Sequence, residues 1–332
     1  MTTDDEPRSG RHDDPGLSAV MGERRHLMNL AYRLLGSLAE AEDAVQETYA
    51  RWYAMSDRQR DAVRSPAAWL TTVAGRICLD LLGSARVRRE RHVGAWIPEP
   101  LPDGTEWVAG ADGTRGDPAD RIALDESVTM AFLVTLESMS PAERVALILH
   151  DVFGYAFPEV ARIVGRTPAA CRQLASAARR RVRTFEPSRA STTRPARTVR
   201  AFKQAWEAKD IDALVGLLDP DATAIADSGG LSLAAPGPIE GADRVARHYA
   251  AIADNMPGNV TVLECVVNGQ PGLAVRQEGV TVTVLAFDIA GDRVKHIWTV
   301  LNPDKLRRWT DRNPLPRRPP STGRTTPCTH PE

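Results

Sequence analysis

A helix start fixed by two adjacent residues constrains this chain more than any other feature. Thr167 precedes Pro168, so a hydroxyl that can cap a helix stands beside a residue whose locked φ and missing N–H suit the first helical position. Val164-Gly165-Arg166 supplies a short glycine-containing turn before it, and residues 157–183 therefore read as a helix-turn-helix. Along the second helix Ala170, Cys171, Leu174, Ala178 and Val182 recur every three or four residues and form an inward face. Arg172, Gln173, Ser176, Arg179, Arg180 and Arg183 point outward. No acidic residue lies between Glu159 and Glu186, whereas Arg162, Arg166 and Arg181 add to the arginines just named. Solvated faces ordinarily mix signs, so one-signed charge here favours a polyanion partner over a merely hydrated surface.

Length and charge bound the remainder. The 332 residues allow two or three domains, and the net charge of −1 conceals the local segregation of arginine. Cys78, Cys171, Cys265 and Cys328 show neither metal nor disulfide spacing, which fits a reducing cytoplasmic setting and no metal or other cofactor. No apolar run approaches the roughly 18 residues of a membrane span, and residues 1–20 are polar rather than signal-like.

Pattern divides the chain further. Residues 1–19, rich in Asp, Arg, Gly and Pro, have the composition of a disordered segment. A helical block follows over 20–92. Leu27, Leu30, Ala31, Leu34 and Leu35 form one stripe, and Leu38, Ala41, Ala44, Val45, Thr48, Tyr49 and Trp52 a second. Residues 55–64 read as a polar loop, after which Ser65-Pro66 opens a third helix with Trp69, Leu70, Val73, Ile77, Cys78 and Leu81 inward. Residues 93–120 have linker composition, yet Trp96-Ile97-Pro98-Glu99-Pro100-Leu101 sets a large aromatic in a stiff extended stretch, the composition of something that docks in a groove. Residues 121–186 form the second helical block, and 187–197 another linker.

Residues 198–309 have a different character. Helical patterns at 198–209, 212–217 and 241–255 accompany strand-like runs at 222–227, 260–267, 273–276, 280–289 and 294–301. This predicts an α+β domain, a cone of helices packed on a curved antiparallel meander. Residues 310–332, rich in Pro, Arg and Thr, read as a disordered tail.

Several of these segments resemble a known family. Leu34-Leu35-Gly36-Ser37 through Ala41-Glu42-Asp43-Ala44-Val45-Gln46-Glu47-Thr48 is similar to the polymerase-clamp helix of extracytoplasmic-function (ECF) sigma factors in the sigma-70 family. Trp69 to Asp80 resembles that family's promoter −10 helix, and Ser140-Pro141-Ala142-Glu143-Arg144 with the helix-turn-helix resembles its region 4. Trp96-Ile97-Pro98-Glu99-Pro100, Asp227-Ser228-Gly229-Gly230 and Asn302-Pro303-Asp304-Lys305-Leu306 look like signatures of the subgroup with a C-terminal SnoaL-like domain, of the nuclear-transport-factor-2-like class. Ser228, Leu231 and Ala177 depart from the family pattern.

The resemblance implies a multidomain protein with two all-α sigma domains and an α+β cone. It implies core RNA polymerase, at its β′ clamp and β flap, and promoter DNA as partners, with a contact to the chain's own C-terminal domain. Asp43, Gln46 and Glu47 are then expected to meet polymerase. Arg76, Arg86, Arg88 and Arg89 are expected to serve the −10 element, and Arg166, Arg172, Gln173, Ser176, Arg179 and Arg180 the −35 element. Among these, Arg172 suits guanine and Gln173 adenine, while Arg166, Arg179 and Arg180 suit phosphates. Trp96, Pro98, Pro100, Asp227, Gly229, Gly230, Asn302, Pro303, Asp304, Lys305 and Leu306 are expected to form a regulatory contact in which Trp96 is buried. No catalysis is expected, although Asp227, His248 and His296 are the acid–base candidates of the cone. The alternative reading is a DNA-binding regulator whose cone senses a small ligand.

Overall fold

A computed structural model describes residues 22–89, 95–105, 127–183, 193–230 and 237–310. The expected N-terminal segment, most of both linkers, Leu231 and residues 311–332 lie outside the described residues. Among the described residues the first block holds four helices: α1 (Arg24–Leu35), α2 (Leu38–Tyr53), the short α3 (Asp57–Asp61) and α4 (Pro66–Arg89). Gly36 ends α1 in the left-handed region at φ 69°, and the Ser37 hydroxyl accepts from the Glu40 N–H to begin α2. The polar loop expected over 55–64 contains α3 instead. Gln59 Oε1 accepts from the Ser56 N–H at 2.8 Å, a reciprocal cap that a polarity count does not register.

The second helical block comprises α5 (Met130–Glu137), α6 (Pro141–Leu147) running into a π-helical turn (Ile148–Val152), α7 (Phe157–Val164) and α8 (Pro168–Arg183). Both blocks feed one apolar core that runs continuously from Leu27 in α1 to Ala178 in α8. Three buried residues of α1, α4 and α8 (Leu30, Ala74, Cys171) share it.

The last domain opens with α9 (Thr193–Glu207), which begins inside the expected linker because Pro195 is tolerated in a first helical turn. Next come α10 (Ile211–Leu217), β1 (Leu218–Asp227), β2 (Ile239–Glu240), α11 (Ala242–Asp254), β3 (Val260–Val267), β4 (Gln270–Gln277), β5 (Val280–Ala290), β6 (Arg293–Val300) and α12 (Arg307–Thr310). The sheet order is β2-β1-β6-β5-β4-β3. β3 to β6 form the expected antiparallel meander, but β1 lies parallel to β6, with Ala226 opposite Thr299 and Asp227 opposite Val300. Strand order across a long connection is not written in any local pattern.

Both faces of this sheet are covered. Leu273, Val275, Leu285 and Phe287 point into the cone against α9 and α11, whereas Ala274, Val284, Ala286, Trp298 and Val300 point outward into a second apolar cluster. Ile97, Met130, Leu306 and Trp309 complete that outer cluster, so the cone is packed against the helical blocks through its sheet. The run Val284-Leu285-Ala286-Phe287, apolar at every position, is what burial on both faces requires.

Gly272 of β4 shows how tightly the sheet is built. A Cβ there would lie 2.6 Å from the Leu285 carbonyl oxygen and 2.5 Å from a Val267 methyl. The backbone oxygen cannot yield cheaply, so Gly272→Ala should destabilise the cone by about 1–3 kcal/mol. A urea unfolding midpoint equal to that of the wild type would show that the strand relaxes without cost.

Candidate functional site

The helix-turn-helix is α7 and α8, joined at Gly165 with φ 70°. Thr167 Oγ1 accepts from the Ala170 N–H at 3.2 Å. Cys171, Ala175 and Ala178 are buried, Arg172, Gln173, Ser176 and Arg180 are exposed on one side of α8, and Arg166 is exposed in the turn before it. The Arg172 guanidinium lies 5.5 Å over the Phe157 ring, which orients it without using its donors. Arg179 differs from the expected phosphate ligand. Asp151 holds it through two bonds of 2.6 Å, so its charge is already compensated. Ala177 is half-buried and lies one helical turn from the exposed Gln173, Arg180 and Arg181.

Asp43, Gln46 and Glu47 form an exposed polar strip on α2, where Glu47 also pairs with Arg51 at 2.8 Å. Their neighbour Glu42 pairs with Arg308 of α12. The C-terminal domain thus reaches the edge of the expected polymerase surface. Arg76 is exposed on α4, yet it donates to the Arg162 carbonyl of α7 at 2.9 Å. Beside it Gly75 packs so closely on Ile163 that a Cβ would come within 2.8 Å of its methyl. The two expected DNA-reading elements therefore lie against each other. Arg86, Arg88 and Arg89 fall in the last turns of α4, and their side chains lie outside the described residues.

The expected regulatory residues converge at one junction. Asp227, fully buried at the end of β1, accepts from Lys305 Nζ at 2.6 Å, from the Ile97 N–H at 3.1 Å and from the Gly229 N–H at 2.9 Å. Lys305 also donates to the Ile97 carbonyl and lies 4.2 Å over the Trp96 ring. That ring presses on Gly36, where a Cβ would be 2.8 Å away. Burial of Trp96 is only partial; the neighbouring Ile97, 2% exposed, fills the apolar cluster in its place. Chain direction explains the exchange, because consecutive residues of an extended segment face opposite ways. Pro98 and Pro100 are buried, and the Pro100 carbonyl accepts from Trp309 Nε1 at 2.9 Å. Asn302 accepts from the Asp304 N–H at 3.1 Å while its amide group covers Gly229, the reason that position tolerates no Cβ. Pro303 and Asp304 are exposed in the turn, Gly230 is exposed in its loop, and Leu306 is buried beside Ile97.

Four residues of this junction escaped the expected set. Asn268 is buried and ties three segments together: its side chain accepts from the Leu101 N–H at 3.0 Å and donates to Tyr32 Oη at 3.0 Å and to the Val128 carbonyl at 2.9 Å. In sequence, Asn268-Gly269 is a hairpin turn signal, and both residues have positive φ, so a local role concealed the long-range one. Glu99 accepts from the Leu38 N–H at 2.8 Å at the start of α2, and its own N–H donates to the Gly36 carbonyl. Arg33 is buried and donates to Ser127 at 2.7 Å, and Arg144 donates to the Leu34 carbonyl at 2.9 Å and to Glu137 at 2.8 Å. A buried arginine bonded to distant carbonyls carries no local signature.

The acid–base candidates do not meet. Asp227 belongs to the junction, His296 pairs with Asp288 at 2.9 Å and stacks on Trp298, and His248 lines the cone cavity. Among the described residues no cluster of His, Cys, Asp and Glu could hold a metal, and no helix is long and apolar enough to cross a membrane.

Comparison with known proteins matches residues 20–90 to sigma-70 region 2, 129–182 to sigma-70 region 4 and 199–312 to a SnoaL-like domain. The chain is 38% identical over 295 residues to the ECF RNA polymerase sigma factor SigJ of Mycobacterium tuberculosis (strain ATCC 25618 / H37Rv), covering 85% of this chain and 90% of the relative. It is 34% identical over 302 residues to the probable ECF RNA polymerase sigma factor SigI of Mycobacterium tuberculosis (strain CDC 1551 / Oshkosh), covering 88% and 95%. The crystal structure of Mycobacterium tuberculosis SigJ superposes with a TM-score of 0.66 at 34% identity, over 87% of this chain and 98% of that one.

Burial pushes the Glu99 carboxyl up to about 7, against the Leu38 N–H, Lys305 and Arg308, which favour its charge, and with Glu42, which opposes it. A carboxyl raised above its ordinary 4.5 makes the packed state bind the proton more tightly, so its contribution is complete at low pH and is lost as pH rises through about 7. The urea midpoint should therefore fall between about pH 5 and about pH 8 by more in the wild type than in Glu99→Gln. Equal slopes would show that Glu99 does not titrate with the junction.

Proposed function

The chain belongs to the extracytoplasmic-function sigma factors of the sigma-70 family, and on that premise we propose how its own geometry governs promoter use. The protein binds core RNA polymerase and directs transcription initiation. Asp43, Gln46 and Glu47 form the polymerase surface at the β′ clamp, and the second helical block meets the β flap. Arg172 and Gln173 read base edges of the upstream element, while Arg166, Arg180 and Ser176 hold its backbone. Arg76, with Arg86, Arg88 and Arg89 after it, serves the downstream element. The polymerase that the protein joins is cytoplasmic, and its work is tethering rather than bond chemistry.

The observation that carries the regulatory half is the packing of α4 on α7. Two readers that share a core cannot reach two elements separated along a duplex, so the packed arrangement is silent and must open. The cone holds it closed, because the Asp227–Lys305 pair clamps the Trp96–Leu101 segment, and that segment holds the ends of α1 and α2. The Arg308–Glu42 pair adds a direct contact beside the polymerase strip. Opening separates the readers when polymerase or DNA binds the open form better.

Lys305→Met would leave Asp227 buried without its cation, a loss of about 3–5 kcal/mol at the junction. Run-off transcription with purified core polymerase should then rise above that of the wild type. Unchanged output from a variant that still binds core polymerase would remove the cone from the regulatory scheme. In the same assay Arg172→Ala should relax discrimination at one upstream position by about 1–3 kcal/mol. An unaltered preference across a panel of promoter variants would assign Arg172 to the backbone.

A further inference from the structure

Arg172 and Arg179 stand two turns apart on one face of α8, and consecutive residues of a single short turn govern them in opposite ways. That turn is the π-helical segment Ile148–Val152. His150 stacks on Phe157 with ring centroids 3.9 Å apart, and Phe157 in turn lies under the Arg172 guanidinium, 5.5 Å from the ring centre. Asp151 accepts from Arg179 Nε and Nη2, each at 2.6 Å. The turn is itself fixed. His150 Nδ1–H donates to the Tyr155 carbonyl at 2.8 Å, the Gly154 N–H donates to the His150 carbonyl at 3.1 Å, and Asp151 stands 3.9 Å from His150 Nε2.

The two arginines are left with different chemistry. A ring beneath a guanidinium attracts the charge through its π face and consumes no N–H donor. Among the described residues no hydrogen bond uses the donors of Arg172, so its planar fork stays open for a base edge. A side chain already held in place also loses less freedom when it binds. Arg179 is the reverse case. A bidentate carboxylate occupies the edge that a phosphate would take and cancels the charge that would attract it. Left free, an arginine there would grip the backbone of any duplex, because phosphate contacts carry no sequence information. With that grip withheld, the affinity of the helix rests more on its base contacts.

We propose that Phe157, braced by His150, is a positioning residue that fixes Arg172 for base reading, and that Asp151 masks Arg179 so that the helix does not hold DNA of unrelated sequence. The base-reading half rests on the function proposed above; the masking of Arg179 does not.

The first half is read with core polymerase and the full chain, choosing among promoters randomised over the upstream element. Phe157→Leu keeps apolar bulk but removes the π face. It should relax preference about twofold to fivefold at a single base position, the one that Arg172→Ala relaxes, with core polymerase binding unchanged. Phe157→Tyr should restore the preference, and Phe157→Leu placed in the Arg172→Ala background should change nothing further. A wild-type profile in Phe157→Leu, or a loss spread over every position, overturns the positioning. A wild-type profile in Arg172→Ala overturns the base reading itself, and the positioning with it. The second half needs only the free chain and a duplex without a promoter, because the exposed side of α8 is open in the packed chain. Asp151→Asn, and equally Asp151→Ser, should raise affinity for that duplex about threefold to tenfold at about 0.1 M salt. The plot of log affinity against log salt should steepen by about 0.9, the slope of one added phosphate contact. Adding Arg179→Ala should cancel both changes. An unchanged slope, or the same gain without Arg179, overturns the masking.

Discussion

The carboxylate of Asp227 is the constraint on which the arrangement of this chain depends. A charge removed from water must find donors, and the three it finds come from the Trp96 segment, the Gly229 loop and the turn after β6. None of these is adjacent to another in the folded domains by necessity. The buried acid makes them so, and once they meet, Trp96 falls between Gly36 and the Lys305 ammonium, and Ile97 falls into the cluster with Leu306. The chain between the two helical blocks, which its composition marks as a spacer, thereby becomes the element both blocks and the cone are fixed to.

That attachment explains the continuity of the helical core. Arg33 and Arg144 each carry a guanidinium into the seam between the blocks, where Ser127, Glu137 and the Leu34 and Leu136 carbonyls accept hydrogen bonds from them. Tyr155 adds an hydroxyl bonded to Thr71 at 3.1 Å and lies next to His26. A seam that mixes apolar packing with directed polar bonds holds one relative orientation, because a rotated alternative would strand the buried donors. The same seam places α4 on α7, and in the function proposed above this is how the geometry that gives the sigma domains a single core also withholds their readers from DNA.

What was legible in the sequence follows from what is local. Periodicity located α1, α2 and α4 of the first block, Thr167-Pro168 located α8, and the longer strand runs of the cone lie close to their observed bounds. Motif resemblance pointed to Asp227, Asn302 and Lys305, whose partners lie up to 208 positions away and could not be found by spacing. Trp96 drew attention because it is large, yet alternation along the segment hands the deep position to Ile97. Asn268 was invisible as a junction residue because an Asn-Gly turn already accounts for it, and the parallel β1–β6 pair was invisible because neither strand differs in pattern from an antiparallel one.

A junction built on a buried ion pair is suited to opening in a way an apolar one is not. Separating the cone from the linker rehydrates Asp227 and Lys305 together, so the desolvation cost that offset their attraction in the packed state is recovered. A substitution recovers nothing, since it leaves one partner behind in the dry site. The pair therefore contributes specificity of arrangement at little net stability, while the apolar cluster of Ile97, Trp298, Leu306 and Trp309 supplies the attraction. Removing one charge and opening the whole contact are then different events with different energies. In the function proposed above, where the chain holds itself shut and is released by binding elsewhere, that difference is what is needed, because release has to be cheap along the concerted route and costly along every partial one.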